Sequence, residues 1–272
     1  MPDIRDALHA VLPAVGKHLE WTPVTSGESG AAVVRAEDGS RYAKLVPPDR
    51  AAELRQERDR IEWLFAQGIP GPEVLDWIAD DAGVCLVTSA VAGVPADAVA
   101  PAELERAWED IARTVRRLHG LPVDACPFTR ELADMFATAR DVVARGAVVP
   151  EFLPVEQQRT PPEELLARLT PELELRLAQE STEAVVCHGD LCLPNIILDP
   201  ATWEVAGLID LGRLGRADPY ADIALLLANA RETWPDEDRA RAADEEFAQF
   251  YGIDLDGDRQ RFYLHLDPLT WG

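Results

Sequence analysis

A chain of 272 residues, 47% hydrophobic and 28% charged, is long enough for one large core or two modest ones. Its 49 acidic against 26 basic residues leave a net charge of −23. That balance argues against nucleic acid as a partner, since phosphates need a basic patch, and suits either plain solubility or an anionic site for a cationic ligand. No run reaches the ~20 apolar residues of a membrane span, and no signal-like stretch follows Met1-Pro2-Asp3-Ile4. The four cysteines include no C-x-x-C pair, and Cys187, His188 and Cys192 lack the second ligand pair of a zinc site, so the expectation is a cytoplasmic protein with reduced thiols.

Residues 21–46 alternate short apolar runs with turns. Gly27-Glu28-Ser29-Gly30 is a turn whose glycines let backbone approach a ligand, and Asp38-Gly39 is a hairpin signal before a third strand, Tyr42-Ala43-Lys44-Leu45-Val46. Residues 50–67 then read as a helix carrying Leu54, Ile61, Leu64 and Phe65, with Gly68 as its C′ residue and Pro70 beyond. Glu53 and Glu57 lie one turn apart on it. A strand lysine alone is ordinarily a solvent-facing charge; a strand lysine followed by a helix glutamate is also the pair with which kinases hold nucleotide phosphates. Residues 73–78 and 84–89 form a second hairpin, and Val91-Ala92-Gly93-Val94-Pro95 breaks the pattern as a linker. The expected division is a lobe of residues 1–90, a hinge of 91–97 and a second lobe of 98–272.

In that second lobe, residues 101–120 are a helix with Leu104, Trp108, Ile111, Val115 and Leu118 in one stripe, and residues 128–145 are a second. The Pro-punctuated, acid-rich residues 150–183 read as short surface helices, either solvated or a wall of a substrate site. An apolar strand over 184–187 delivers His188-Gly189-Asp190 into a loop, Pro194 stiffens the approach to Asn195, and residues 196–198 and 205–209 make a hairpin ending in Asp210-Leu211-Gly212. An amide and a carboxylate from opposite ends of that hairpin can share one Mg²⁺, which takes few protein oxygens plus phosphate oxygens. Asp190 is then left to orient a hydroxyl and accept its proton. Asp222 opens an apolar helix, where a carboxylate suits the helix dipole and is placed to accept N–H bonds from the 188–190 loop.

These residues resemble the aminoglycoside O-phosphotransferase family over nearly the whole chain. The resemblance is carried by Gly27-Glu28-Ser29-Gly30, Glu57-Arg58-Asp59-Arg60, Val186-Cys187-His188-Gly189-Asp190 and Gly207-Leu208-Ile209-Asp210-Leu211-Gly212-Arg213-Leu214-Gly215. The tail Leu266-Asp267-Pro268-Leu269-Thr270-Trp271-Gly272 is similar to that of the branch acting on the 3''-hydroxyl of streptomycin. The resemblance implies an α+β, bilobal, protein-kinase-like fold: a small N-terminal antiparallel sheet with one helix, then a larger, mainly helical lobe. It implies ATP and Mg²⁺ as cofactors and Asp190 as catalytic base, with Asn195 and Asp210 as metal ligands. Lys44 is implied on phosphate with Glu57 bracing it, Ser29 in the nucleotide turn, and Ser89 and Val91 offering backbone groups to adenine. Arg213, Glu232 and Asp267 are implied on the substrate side with Asp190, and His188 and Asp222 support the loop. The implied partner is a cationic antibiotic, with no nucleic acid, membrane or obligate protein partner. A kinase of another aminoglycoside or cationic metabolite, and a silent nucleotide-binding module, are the competing expectations. A protein kinase is disfavoured, because Leu211 stands where Asp-Phe-Gly has Phe and no Ala-Pro-Glu follows.

Overall fold

The structure, a computed structural model, describes residues 20–24, 31–81 and 83–272, which divide into two compact units. The first comprises its described residues up to Gly93 together with Ala206–Gly212; the second comprises Val94–Val205 and Arg213–Gly272.

The first unit is built on a five-stranded antiparallel sheet in the order β1-β2-β3-β5-β4. Its strands are β1 (Trp21–Pro23), β2 (Ala32–Ala36), β3 (Arg41–Val46), β4 (Val74–Asp80) and β5 (Gly83–Ser89). Val34, Ala43, Leu45, Cys85 and Val87 pack as one cluster, because alternation along β2, β3 and β5 turns these side chains to the same face. Helix α1 (Ala51–Ala66) buries Leu54, Ile61 and Leu64 and packs on β4 and β5. It stops at Gly68, whose φ of +75° only glycine adopts without strain and whose N–H donates to the Phe65 carbonyl at 3.0 Å. In the same unit the Leu208 N–H donates to the Pro70 carbonyl at 3.0 Å, which fastens the returning segment to the residues after α1.

The second unit is mainly helical. Helix α2 (Pro101–His119) buries its whole apolar stripe, and the Trp108 indole N–H donates to the Ala243 carbonyl at 2.8 Å. This bond joins α2 to a later helix, while Trp108 also meets Trp234 edge-on at 5.3 Å. Helix α3 (Leu132–Ala144) begins four residues later than the sequence pattern suggests. Residues 128–131 are extended there: the Arg216 N–H donates to Phe128 and the Arg130 N–H to Arg216, taking the backbone groups a helix would need. Helices α4 (Pro162–Leu169) and α5 (Leu173–Glu183) follow. They are not simply surface helices, since Leu165, Leu169, Arg176 and Glu180 are buried. Both Glu180 oxygens accept the Leu132 N–H, at 2.9 and 3.0 Å, and so cap α3.

Short strands complete the unit. β6 (Val94–Pro95) pairs with β8 (Ile196–Leu198), and β7 (Val185–Cys187) pairs antiparallel with β10 (Gly215–Ala217), a strand that carries no local signal. Between β8 and β10 in the chain, β9 (Val205–Leu208), most of which belongs to the first unit, begins after a turn closed by Asp199 N–H to Glu204 C=O at 2.9 Å. Helices α6 (Tyr220–Ala230), α7 (Glu237–Tyr251) and α8 (Gly257–Leu266) end the chain, with α6 against α8 and α2 against α7. Among the described residues no helix is long and apolar enough to cross a membrane.

Candidate active site

In the first unit the polar residues converge on Lys44. It sits on β3 opposite Leu86 of β5, between buried Ala43 and Leu45, so its side chain leaves the face opposite the apolar cluster. Its ammonium lies 2.7 Å from Glu57 of α1 and 3.7 Å from Asp210. The spacing of Glu57 along α1 sets the first contact; the return of residues 206–212 to this unit sets the second. Burial works against the lysine's charge, but the two carboxylates outweigh it and hold its pKa above the ordinary lysine value. Burial lifts Glu57, and Lys44 pulls it back only in part. Asp210 adopts a φ of +58°, uncommon for a residue with a Cβ, and its side chain is about half exposed at 49%. Gly212 faces Glu57, where a Cβ would stand 3.7 Å from its carboxylate oxygen.

The nucleotide-side backbone is partly committed. The Ser89 N–H donates to Glu73 C=O and the Ser89 hydroxyl accepts the Glu73 N–H, at 2.9 and 2.8 Å. Ser89 therefore has its carbonyl to offer, and not its N–H. Val91 stands two residues on, beside Gly207. Ser29 lies outside the described residues.

In the second unit, the 188–195 loop is held from beneath by one fully buried carboxylate. Asp222, in the first turn of α6, accepts the His188 N–H at 2.6 Å and the Gly189 N–H at 2.8 Å, one on each oxygen. It also faces His119 Nε2 at 3.1 Å, while the Tyr251 hydroxyl lies 2.8 Å from His119 Nδ1. A carboxylate can only accept, so the imidazole proton sits on Nε2. Burial pushes Asp222 up, yet His119, His188 and the Gly189 N–H hold it below the usual carboxylate range. His119, Cys187 and Asp222 are close enough to resemble a metal cluster, but Asp222 is spent on these donors and the Cys187 thiol donates to the Asp218 carbonyl at 3.3 Å. Burial raises that thiol far above its ordinary value, which disfavours the thiolate a metal would need.

Asp190 follows Gly189, and its N–H donates to His188 Nδ1 at 3.3 Å. Asn195 ends the Leu193–Asn195 turn and donates its amide nitrogen to the Asp190 carbonyl at 2.8 Å and carboxylate at 3.3 Å. That nitrogen is thereby committed to the loop, which leaves the amide oxygen as the side chain's acceptor. The Leu193 N–H donates to the Asn229 side chain at 2.8 Å, a second tie from α6.

The remaining expected substrate residues differ in kind. Glu232 is exposed just past α6. Arg213 lies with its guanidinium 3.3 Å from the centre of the Trp271 ring and 3.2 Å from the Thr270 hydroxyl. Asp267 is taken up by Arg130 at 2.8 Å, the Trp271 indole N–H at 3.0 Å and Arg213 at 3.6 Å. Sequence reasoning missed Arg130 and Trp271: Arg130 reaches Asp267 from 137 residues away, and Trp271, four residues from Asp267, meets Arg213 only through the fold.

The profile of the phosphotransferase enzyme family matches residues 20–263. The chain is 66% identical over 253 residues to the streptomycin 3''-kinase of Streptomyces griseus, covering 93% of each. It is 43% identical over 262 residues to an aminoglycoside 3'-phosphotransferase of Streptomyces fradiae, covering 92% of this chain and 95% of that one. The structure of aminoglycoside phosphotransferase APH(3'')-Id from Streptomyces rimosus in complex with ADP and streptomycin superposes with a TM-score of 0.95 at 63% identity, covering 100% of both chains.

Proposed function

The chain belongs to the phosphotransferase enzyme family, in its aminoglycoside branch, and on that footing we propose that it transfers the γ-phosphoryl group of ATP to the 3''-hydroxyl of streptomycin and so inactivates the antibiotic. The observation that carries the reading is the 66% identity across 93% of both chains with the streptomycin 3''-kinase. The polar geometry alone would serve any hydroxyl acceptor.

In this reading residues 1–90 are the nucleotide-binding lobe, 91–97 the hinge and 98–272 the catalytic and substrate-binding lobe. Lys44 binds nucleotide phosphate. Its ammonium has three donors, of which Glu57 takes one at 2.7 Å and holds the side chain in place. The raised pKa keeps it cationic at neutral pH. Ser29 flanks the nucleotide, and the Ser89 carbonyl with the Val91 backbone meets the adenine edge. The hard oxygens of Asn195 and Asp210 fit Mg²⁺: one belongs to an amide whose nitrogen is bonded to the loop, the other to a half-exposed carboxylate. When bound, that ion would neutralise charge on the phosphates.

Asp190 is the catalytic base. It aligns the acceptor hydroxyl and takes its proton as the phosphoryl group transfers, most of the rate coming from positioning and electrostatics. Asp222 and His188 keep the preceding backbone fixed. Streptomycin carries two guanidinium groups, which carboxylates pair with bidentately, and exposed Glu232 is a candidate for such a contact. The protein works in the cytoplasm, where ATP is supplied. Mixing it with a panel of aminoglycosides and Mg–ATP and reading the antibiotic mass tests the assignment. A one-phosphate gain on streptomycin supports it; gain only on another aminoglycoside, or none, overturns it.

A further inference from the structure

The catalytic turn is supported from a second side, opposite in kind to the Asp222 clamp. Gly189 has a φ of +84°, and a Cβ placed there would overlap the Arg213 carbonyl oxygen and come 2.7 Å from the Arg130 Cδ. Two arginines thus press on the residue immediately before Asp190, one through its backbone and one through its side-chain stem. Neither is near the other in sequence.

What joins them is the C-terminal segment. Asp267 Oδ1 receives the Arg130 guanidinium at 2.8 Å and faces that of Arg213 at 3.6 Å, while Oδ2 accepts the Trp271 indole N–H at 3.0 Å. Trp271 in turn lays its ring under the Arg213 guanidinium, and the Thr270 hydroxyl, which donates to the Asp267 carbonyl at 2.7 Å, touches Arg213 at 3.2 Å. Arg130 and Asp267 are only 12% and 13% exposed, so their attraction is little screened by solvent. One carboxylate holds the guanidiniums of two arginines, and those arginines reach Gly189 through the Arg213 backbone carbonyl and the Arg130 side-chain stem.

We propose that Asp267 is a positioning residue for phosphoryl transfer: through Arg130 and Arg213 it fixes the Gly189–Asp190 turn, so that the C-terminal segment sets the placement of the catalytic base instead of contacting the antibiotic. The proposal rests on the streptomycin kinase reading for its kinetic arm alone. Without Asp267 two partly buried guanidiniums lose their shared carboxylate and repel each other, and the turn their residues flank loosens. A displacement of about 1 Å at the acceptor base lowers turnover by up to about 100-fold.

The test combines kinetics with hydrogen exchange on Asp267→Ala and on the milder Asp267→Asn, which keeps the side-chain shape and an acceptor oxygen. In the substrate-free protein, the His188 and Gly189 amides should exchange at least about tenfold faster in Asp267→Ala, and less so in Asp267→Asn, while amides of the β3–β5 sheet keep the wild-type rate. With streptomycin and ATP, kcat should fall about 10- to 100-fold with the KM for ATP unchanged. Unchanged exchange at His188 and Gly189 overturns the proposal. So does an unchanged kcat with a raised KM for streptomycin, the pattern of a direct substrate contact. If exchange accelerates throughout Asp267→Ala, Asp267→Asn decides by the same criteria. The exchange arm needs no substrate, so a wild-type protein inactive on streptomycin would overturn the assigned reaction and leave this result readable.

Discussion

Replacing Asp222 by Asn should damage stability and turnover together. Its two oxygens separately accept the His188 and Gly189 amides at 2.6 and 2.8 Å, and the His119 ring N–H adds a third donor at 3.1 Å. Asparagine supplies one oxygen and one NH₂, so at least one buried backbone N–H must face another donor. An unsatisfied buried donor costs about 1–3 kcal/mol, and the lost charge on the remaining bonds adds about 1 kcal/mol more, giving roughly 2–4 kcal/mol. For a chain of this size that is a fall in Tm of roughly 5–15 °C. The displaced turn carries Asp190, so kcat should fall at least about tenfold even well below the new Tm. Thermal melts and steady-state kinetics on one preparation measure both. A variant within about 0.5 kcal/mol of wild type and with wild-type kcat would falsify the claim that this carboxylate holds the catalytic turn.

Two further outcomes follow from the geometry. Glu57→Gln removes the charge that holds Lys44 and should raise the KM for ATP about tenfold, with a smaller fall in kcat. Unchanged kinetics over a full ATP titration would remove the pair from the phosphate site. Glu180 is pushed up to about 7 by burial, against the pull of the Leu132 and Asp218 amides. A carboxyl that binds its proton more tightly when folded contributes stability fully below pH ~4.5, and that contribution, up to about 3 kcal/mol, is lost as the pH rises through ~7. Urea unfolding from pH 4 to 8 should therefore show a steeper decline for the wild type than for Glu180→Gln, which keeps an acceptor but no proton to lose. Parallel curves would contradict it.

The parts of the fold readable from sequence are those written in local chemistry. The apolar spacing of Leu54, Ile61 and Leu64 and the Gly68 stop predict α1, and the Lys44–Glu57 contact follows from the strand–helix order. The approach of Asp210 to Lys44 was not readable, because it depends on where the 206–212 segment returns. The start of α3 was misread for a similar reason: residues 128–131 have no breaker, and their pairing with Arg216 appears only once the chain has folded back. The acid-rich residues 150–183 read from sequence as short surface helices, either solvated or a wall of a substrate site. Glu180 is buried there all the same, since distant backbone N–H groups satisfy its oxygens. Asp267 read as a carboxylate near the substrate; its cationic partners, Arg130 and Arg213, lie 137 and 54 residues away in sequence.

The most direct test of the account is the product itself. Wild type and Asp190→Ala, each shown to bind ATP, are incubated with streptomycin and Mg–ATP, and the antibiotic is analysed by mass and by phosphorus–proton correlation NMR. The account predicts one added phosphate, coupled to the proton on the 3'' carbon, for wild type, and no product for Asp190→Ala with ATP binding retained. A phosphate on a different hydroxyl, or wild-type turnover by Asp190→Ala, would contradict it.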